Sequence, residues 1–353
     1  MTFHKADEFQ LNEFLKKINF KTLNKKKILI SGCNGFIGSS IIRVIFDLAS
    51  KSDCKINLYG IVKKNSKIDN LVIKELIKFK KIKVFKLDIH NQINLNLKPD
   101  IIFHCASVTA PILYKKEPVD TLLTNSVGTI NLFNFSKIKK TKKFLFISAG
   151  EMYGNFEKTN RKKNLIESKF GSIDPSIITS NYGISKKFGE NALVCWGKKY
   201  KIKTYSARLF HTYGPLMKLG DGRIHSDLIQ NVLNNQNLLI KGNYNVKRSF
   251  CYITDVVLGI ILIILRGRSG ESYNIANPKE TLKIINLANI ISKISNKRII
   301  FKKKINLKRN NFRYPDVSIN KIKKLGWKPS TNLLKGIKFT IDYFRNQNQI
   351  KLK

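Results

Sequence analysis

Acidic residues are scarce. The 353-residue chain has 23 Asp and Glu against 66 Lys and Arg, a formal charge of +43. A field of that sign draws nucleic acid, anionic membrane or anionic small molecules toward a protein. The lysines run the whole length of the chain, beside abundant Asn and Ile, as an AT-rich coding bias would leave them. That spread reads as composition rather than a selected nucleic-acid surface, and a phosphate-bearing metabolite fits either way.

Cysteine is sparse and unpatterned. Cys33, Cys54, Cys105, Cys195 and Cys251 form no C-x-x-C pair and have no histidine cluster beside them. This argues against a disulfide framework or a metal site and for a reducing, cytoplasmic setting. Long apolar runs are missing too. The longest, VVLGIILIIL (256–265), is half of the roughly 20 residues that a membrane span takes, and it predicts a buried helix. The opening segment MTFHKADEFQLNEFLKKINF carries acids and no continuous apolar stretch, unlike a signal peptide. No internal repeat or low-complexity linker occurs. A soluble protein is expected, 42% apolar and long enough for one large domain or about two.

Residues 1–24 read as an amphipathic arm, with Phe9, Phe14, Leu15 and Ile18 available for one face. Strand-like runs then alternate with helical patterns: KKILIS, a helix at 36–50, KINLYGIV, a helix at 69–79, KIKVFKLDI, PDIIFHCAS, a helix through 119–138, KKFLFISAG, a helix at 181–200, and KTYSARLF. Apolar runs separated by helices predict an α/β fold with a doubly wound parallel sheet covered on both faces. The rhythm loosens after about residue 212. The expected division is a dinucleotide-binding Rossmann domain at 25–212 and a smaller substrate-binding lobe at 213–345, with some chain returning to the first domain. A basic tail follows at 346–353.

The stretch ILISGCNGFIGSSIIRVI (28–45) places Gly32, Gly35 and Gly38 between the first strand and the first helix. Glycine there lets backbone approach a pyrophosphate, and the helix N-terminus favours the anion. The G-x-x-G-x-x-G spacing resembles the extended short-chain dehydrogenase/reductases, the NAD-dependent epimerase/dehydratase family. The resemblance implies a Rossmann fold and a dinucleotide held by Gly32, Asn34, Gly35, Phe36, Ile37 and Gly38. It extends to KLDIHN, where Asp88 and Ile89 would meet the adenine. It includes FHCAS, where Cys105, Ala106 and Ser107 would line the cofactor, and TNSVGTINL, with Asn125 in the helix that supports the active site. NAD is the implied cofactor. The second strand ends in GIVKKN with no acid for a ribose 2′-hydroxyl, and Lys63 could meet a 2′-phosphate, so NADP stays open.

SNYGISKKFGEN places Tyr182 and Lys186 four residues apart on one helical face. A nearby ammonium stabilises phenolate, which predicts a lowered Tyr182 pKa and a proton-transfer role. Lys186 can also reach the nicotinamide ribose. ISAGEMYGN (147–155) resembles the S-[ST]-x-E-V-Y-G segment of nucleotide-sugar dehydratases, decarboxylases and epimerases. By that resemblance Ser148 and Glu151 belong to the catalytic set. Ala149 stands where a hydroxyl-bearing Ser or Thr is usual, and Gly150 where an Asp or Ser is. ARLFHTYGP, GDGR, RSFCYITD and FRYPDVSINKIKKLGWKP resemble UDP-glucuronate decarboxylases and their relatives. They imply that His211, Arg223, Arg248 and Arg313 bind substrate, with Arg248 clamping its diphosphate and Arg313 a second phosphate ligand. The resemblance covers residues 25–345. It implies oxidation at sugar C4 to a transient ketone, then decarboxylation, with 4-epimerisation or 4,6-dehydration as alternatives. It also implies a homodimer through the 119–138 helix (Leu123, Ile130, Leu132, Phe133) and the Tyr182 helix. The different-class alternative is a nucleotide- or RNA-binding protein on the same fold, with catalysis impaired at Ala149.

Overall fold

The computed structural model describes residues 5–156, 164–302 and 316–351. Helix α1 (Lys5–Lys17) leads into β1 (Lys27–Ser31), α2 (Phe36–Lys51), β2 (Asn57–Val62), α3 (Leu71–Lys78), β3 (Ile82–Lys86) and β4 (Ile101–His104). Three helices follow, α4 (Pro111–Lys116), α5 (Pro118–Asn125) and α6 (Val127–Ile138), before β5 (Lys143–Ala149), α7 (Asn181–Tyr200) and β6 (Lys203–Leu209). The rest comprises β7 (His211–Tyr213), α8 (Ile224–Leu233), β8 (Leu238–Lys241), β9 (Lys247–Tyr252), α9 (Ile253–Arg266), β10 (Glu271–Ile275), β11 (Thr281–Lys283), α10 (Ile284–Ser295), β12 (Ile299–Lys302), α11 (Asn320–Lys323) and α12 (Leu333–Lys351).

The main sheet has seven strands in the order β3-β2-β1-β4-β5-β6-β10, and every neighbouring pair is parallel. Strands β1, β4, β5 and β6 are buried on both faces, as parallel strands are, while the edge strand β3 is largely uncovered. Successive residues of β1 serve opposite sides: Ile28 and Ile30 join one apolar cluster and Leu29 the other. Helices α2 and α9 contribute to the first cluster, α6 and α7 to the second. Strand order reverses between β1 and β4, so the crevice beyond the carboxyl ends of these strands is the topological switch point where such sheets take ligands. The run at 256–265 lies in α9, buried almost throughout. Among the described residues no helix is long and apolar enough to cross a membrane. Strand β10 brings the chain back to the edge of this sheet beside β6. Smaller sheets, β11-β9-β7 and β12-β8, hold the remainder.

Three expectations change. The helix expected through 119–138 breaks at Ser126 into α5 and α6. The Ser126 hydroxyl bonds back to Leu122 O, and Thr129 does the same to Asn125 O, local bonds that bend a helix. Leu132 and Phe133 of α6 face the core, at 0% and 1% exposure, so they are not available to a partner, whereas Leu123 is exposed. In the N-terminal arm Phe14, Leu15 and Ile18 pack against the core as expected and Asp7, Leu11, Phe20 and Leu23 are buried, but Phe9 is 66% exposed. The Asp7 carboxylate accepts from Thr254 Oγ1 at 2.7 Å, which fastens α1 to α9.

Candidate active site

The turn after β1 is built at backbone contact distance. Gly32 adopts φ +68°, and a Cβ there would sit 2.8 Å from Ala106 N and Cα, so the β1 turn and the β4 exit touch only because residue 32 has no side chain. A Cβ on Gly38 would lie 2.4 Å from Gly32 O, so the first turn of α2 presses on the same loop. At the start of α2, Gly35 caps with no side-chain hydrogen bond, and the first turn holds no acid. That helix end therefore keeps its positive dipole and amide donors for an anion, and the residues present fit a dinucleotide pyrophosphate. Gly38→Ala is expected to push α2 off the turn and abolish dinucleotide binding while the protein stays folded. Calorimetric titration with NAD checks it, and unchanged affinity would contradict the packing argument.

A proton-ordered chain links this turn to the helices. Ala106 N–H donates to Ser31 Oγ at 3.2 Å, and the Ser31 hydroxyl then donates to His104 Nδ1 at 2.7 Å. On the other side His104 Nε2–H meets Thr129 Oγ1 at 2.9 Å, and the Thr129 hydroxyl donates to Asn125 O at 2.7 Å. Because the Thr129 hydroxyl is committed to Asn125 O, Nε2 carries a proton; burial pushes the His104 pKa down to about 3, so the ring is neutral and Nδ1 accepts from the Ser31 hydroxyl. Asn125 Nδ2 continues the chain to Ser185 Oγ at 3.0 Å, and Ser185 donates to Tyr182 O at 3.0 Å. The cofactor-side strands are thus tied to the Tyr182 helix. Asn34 spans to the loop after β2, donating to Lys67 O and Asp69. Asp88 caps its own turn through His90 N, and Asn131 holds the carbonyls of Ile89 and His90. Cys105 N donates to Ser31 O, and burial pushes the Cys105 thiol far up. Ser107 Oγ is buried without a hydrogen bond. Lys63 stands apart on the surface, 3.4 Å from Asp120.

Tyr182 and Lys186 share the buried start of α7. Lys186 Nζ donates to Ile147 O at 2.8 Å and lies 4.8 Å from the Phe146 ring centre and 5.7 Å from that of Tyr182. Burial lowers its pKa to about 8, with Cys105, Glu190 and Glu151 opposing, so it remains a cation at neutral pH. The expected lowering of Tyr182 is not found. Burial, with Glu151 and Tyr114 adding, pushes the phenol well above its ordinary value, and Arg223 only opposes. Burial also raises Glu151, against Arg248, Arg223 and Lys186. His211 is held well below its ordinary value by burial, Arg248, His225 and Arg223. Tyr182, Glu151, His211, Arg223 and Arg248 therefore converge electrostatically, while Arg313 lies outside the described residues. Arg223 is clasped by Asp221, Nε to Oδ2 at 2.8 Å.

At the end of β5, a Cβ on Gly150 would come 2.7 Å from the Phe210 ring. Phe210 thus takes the space of any side chain at 150. Ser148 is buried at the same strand end. Its hydroxyl favours the Glu190 carboxylate but forms no regular hydrogen bond.

Behind the site lies a buried ion pair that the sequence did not disclose. Arg208 grips Glu190 through Nε to Oε1 at 2.9 Å and a terminal nitrogen to Oε2 at 2.6 Å. It also donates to Tyr153 Oη at 2.7 Å, and Tyr153 donates to Asn274 at 2.6 Å. Ser206 and Ser272 complete the carboxylate. The signal available was an arginine inside the apolar strand KTYSARLF. Ser31 and Thr129 were missed for lack of any local pattern.

Residues 28–276 match the NAD dependent epimerase/dehydratase family. UDP-glucuronic acid decarboxylase 5 of Arabidopsis thaliana is 31% identical over 324 residues, covering 90% of this chain and 89% of that protein. UDP-glucuronic acid decarboxylase 3 of the same plant is 30% identical with the same coverage. Among solved structures, UDP-glucuronic acid 4-epimerase from Bacillus cereus, in complex with UDP-glucuronic acid and NAD, superposes with a TM-score of 0.75 at 23% identity, covering 91% of this chain and 99% of that one. This last likeness is one of fold.

Proposed function

Because the chain belongs to the NAD dependent epimerase/dehydratase family, we propose that it acts on a nucleotide sugar through a transient 4-ketone and decarboxylates UDP-glucuronate or a close analogue. NAD, when bound, supplies the hydride acceptor and later the donor. The first turn of α2 binds the pyrophosphate. Tyr182 takes the proton of the C4 hydroxyl and returns it at the end. Burial keeps that phenol protonated in the structure, so base action calls on nearby cationic charge, and the Lys186 ammonium is in place to supply it. Once C4 is a ketone, the C5 carboxylate is a β-keto acid. Its C–C bond breaks to release carbon dioxide, the electron pair moves into the enolate, and a proton at C5 restores the ketone for re-reduction. Arg248 offers its guanidinium to phosphate, while Arg223, whose Nε and one terminal nitrogen are held by Asp221, adds positive charge beside it.

The Gly150–Phe210 contact argues against dehydration, and similarity to UDP-glucuronic acid decarboxylases at 30–31% identity supports decarboxylation over epimerisation. Dehydration requires an acid beside the C6 hydroxyl, and position 150 has neither the side chain nor the room for one. Loss of carbon dioxide asks for no such acid. Incubation with UDP-glucuronate and NAD, followed by mass spectrometry, tests the reading: a UDP-pentose is expected. A UDP-hexuronate of unchanged mass but altered chromatography would make the enzyme an epimerase, and no conversion would favour a binding role.

Ala149 offers no hydroxyl to the C4 oxygen. Ala149→Thr is expected to raise kcat, by at most the roughly 10²–10³ that one preorganised donor is worth. A lowered kcat would mean that the pocket is shaped around the small residue. A homodimer is also proposed. Val119, Leu122 and Leu123 on α5 and Phe188 and Val194 on α7 are exposed apolar side chains on the two helices named for the contact. Light scattering at micromolar concentration is expected to give twice the 40.6 kDa chain mass, and a monomer would count against it.

A further inference from the structure

Helix α4 is a short surface helix whose neighbouring apolar residues, Ile112 and Leu113, are exposed, yet its Tyr114 is half-buried. Its ring lies on that of Tyr182, with centroids 5.5 Å apart and planes within 6°, the offset stack that aromatic pairs favour. Two contacts hold α4 in this place. Asn181, the residue before Tyr182, donates its Nδ2 to Tyr114 O at 2.9 Å. The 220–223 loop crosses Ile112 so closely that a Cβ on Gly222 would lie 2.8 Å from Ile112 Cγ1. Helix α4 thereby meets both the start of α7, through Tyr114, and the loop that carries Arg223, through Ile112.

We infer that Tyr114 is a positioning residue for Tyr182: its stacked ring fixes the plane and reach of the phenol that transfers the proton. The inference rests on the role of Tyr182 proposed above. A tyrosine turns about two side-chain bonds, and an off-line phenol misses the C4 oxygen. Misplacement by about 1 Å costs on the order of a hundredfold in rate. The groups facing the Tyr182 phenol are Glu151 from the turn after β5, Arg223 from the loop before α8, Tyr114 from α4 and Lys186 from its own helix.

Three variants test this in the full chain with UDP-glucuronate and NAD. Tyr114→Phe keeps the stacked ring and is expected to retain most of kcat. Tyr114→Ala and Tyr114→Leu lose the stack, and kcat is expected to fall about ten- to a hundredfold while NAD affinity and KM change little. Equal losses in NAD affinity, KM and kcat would reduce Tyr114 to a structural residue, and parental kcat in the Ala and Leu variants would overturn the inference outright. If Tyr182→Phe itself keeps turnover, the role of Tyr182 fails instead. A second measurement is independent of turnover. In protein carrying 13C-labelled tyrosine, the Tyr182 signal, identified by its loss in Tyr182→Phe, is expected to show a hindered ring flip in the parent and in Tyr114→Phe and a freely averaged ring in Tyr114→Ala. A ring equally free in all three overturns the inference.

Discussion

Tyr182→Phe is expected to abolish nucleotide-sugar turnover, a loss of at least the roughly 10²–10⁴ that a positioned proton-transfer group contributes, while NAD and substrate still bind. The variant removes one oxygen. The ring keeps its stack on Tyr114, and the contacts that hold this end of α7 do not involve the phenol: Ser185 bonds the Tyr182 carbonyl, Asn125 bonds Ser185, and Asn181 bonds Tyr114 O. Lys186 keeps its bond to Ile147 O. Retained affinity with lost kcat assigns the phenol to the chemical step. Turnover at the parental rate would dismiss Tyr182 from the mechanism.

Arg208→Met should be the most damaging substitution for stability. The pair it breaks is buried on both sides, 4% exposed at Arg208 and 9% at Glu190. Removing one partner of such a pair costs about 3–5 kcal/mol, because the remaining charge is stranded. Burial alone would raise the Glu190 carboxyl, and Arg208, Ser148 and Ser206 hold it below its ordinary value. A depressed folded pKa means that this stabilisation is present above the ordinary glutamate value near 4.3 and is lost as pH falls through the folded value. In Arg208→Met the balance reverses, because burial then dominates. The deficit relative to the parent should therefore shrink in acid and grow as pH rises above about 4. Urea unfolding across that range measures it. A loss under about 1 kcal/mol, the range of exposed pairs, would mean that water reaches the network.

The parts of this molecule written in local patterns could be read from the sequence. Runs such as KKILIS and KKFLFIS became β1 and β5 because a strand buried on both faces is a short apolar run and nothing more. The glycine turn and the Tyr182–Lys186 pair lie within a few residues of sequence each, and spacing alone sets their geometry. What escaped depends on residues far apart in the chain. Ser31 and His104 are 73 residues apart, and Glu190 and Arg208 meet across α7 and β6. The Tyr114 stack depends on how α4 leaves the sheet. Helical periodicity does not say which face of α6 is covered, and Leu132 and Phe133, expected at a partner, fill the core. The Tyr182 pKa differs from expectation for a related reason: a lysine four residues away is visible in sequence, but the burial that raises the phenol is not.

The central claim, decarboxylation through a transient 4-ketone with the hydride returned to the same carbon, is tested most directly with UDP-glucuronate carrying deuterium at C4, incubated with the enzyme and unlabelled NAD. The account predicts carbon dioxide release and a UDP-pentose that retains the deuterium at C4. Carbon dioxide release with the C4 label left in bulk NADH would refute the closed redox cycle, and a product that keeps its carboxylate would refute decarboxylation.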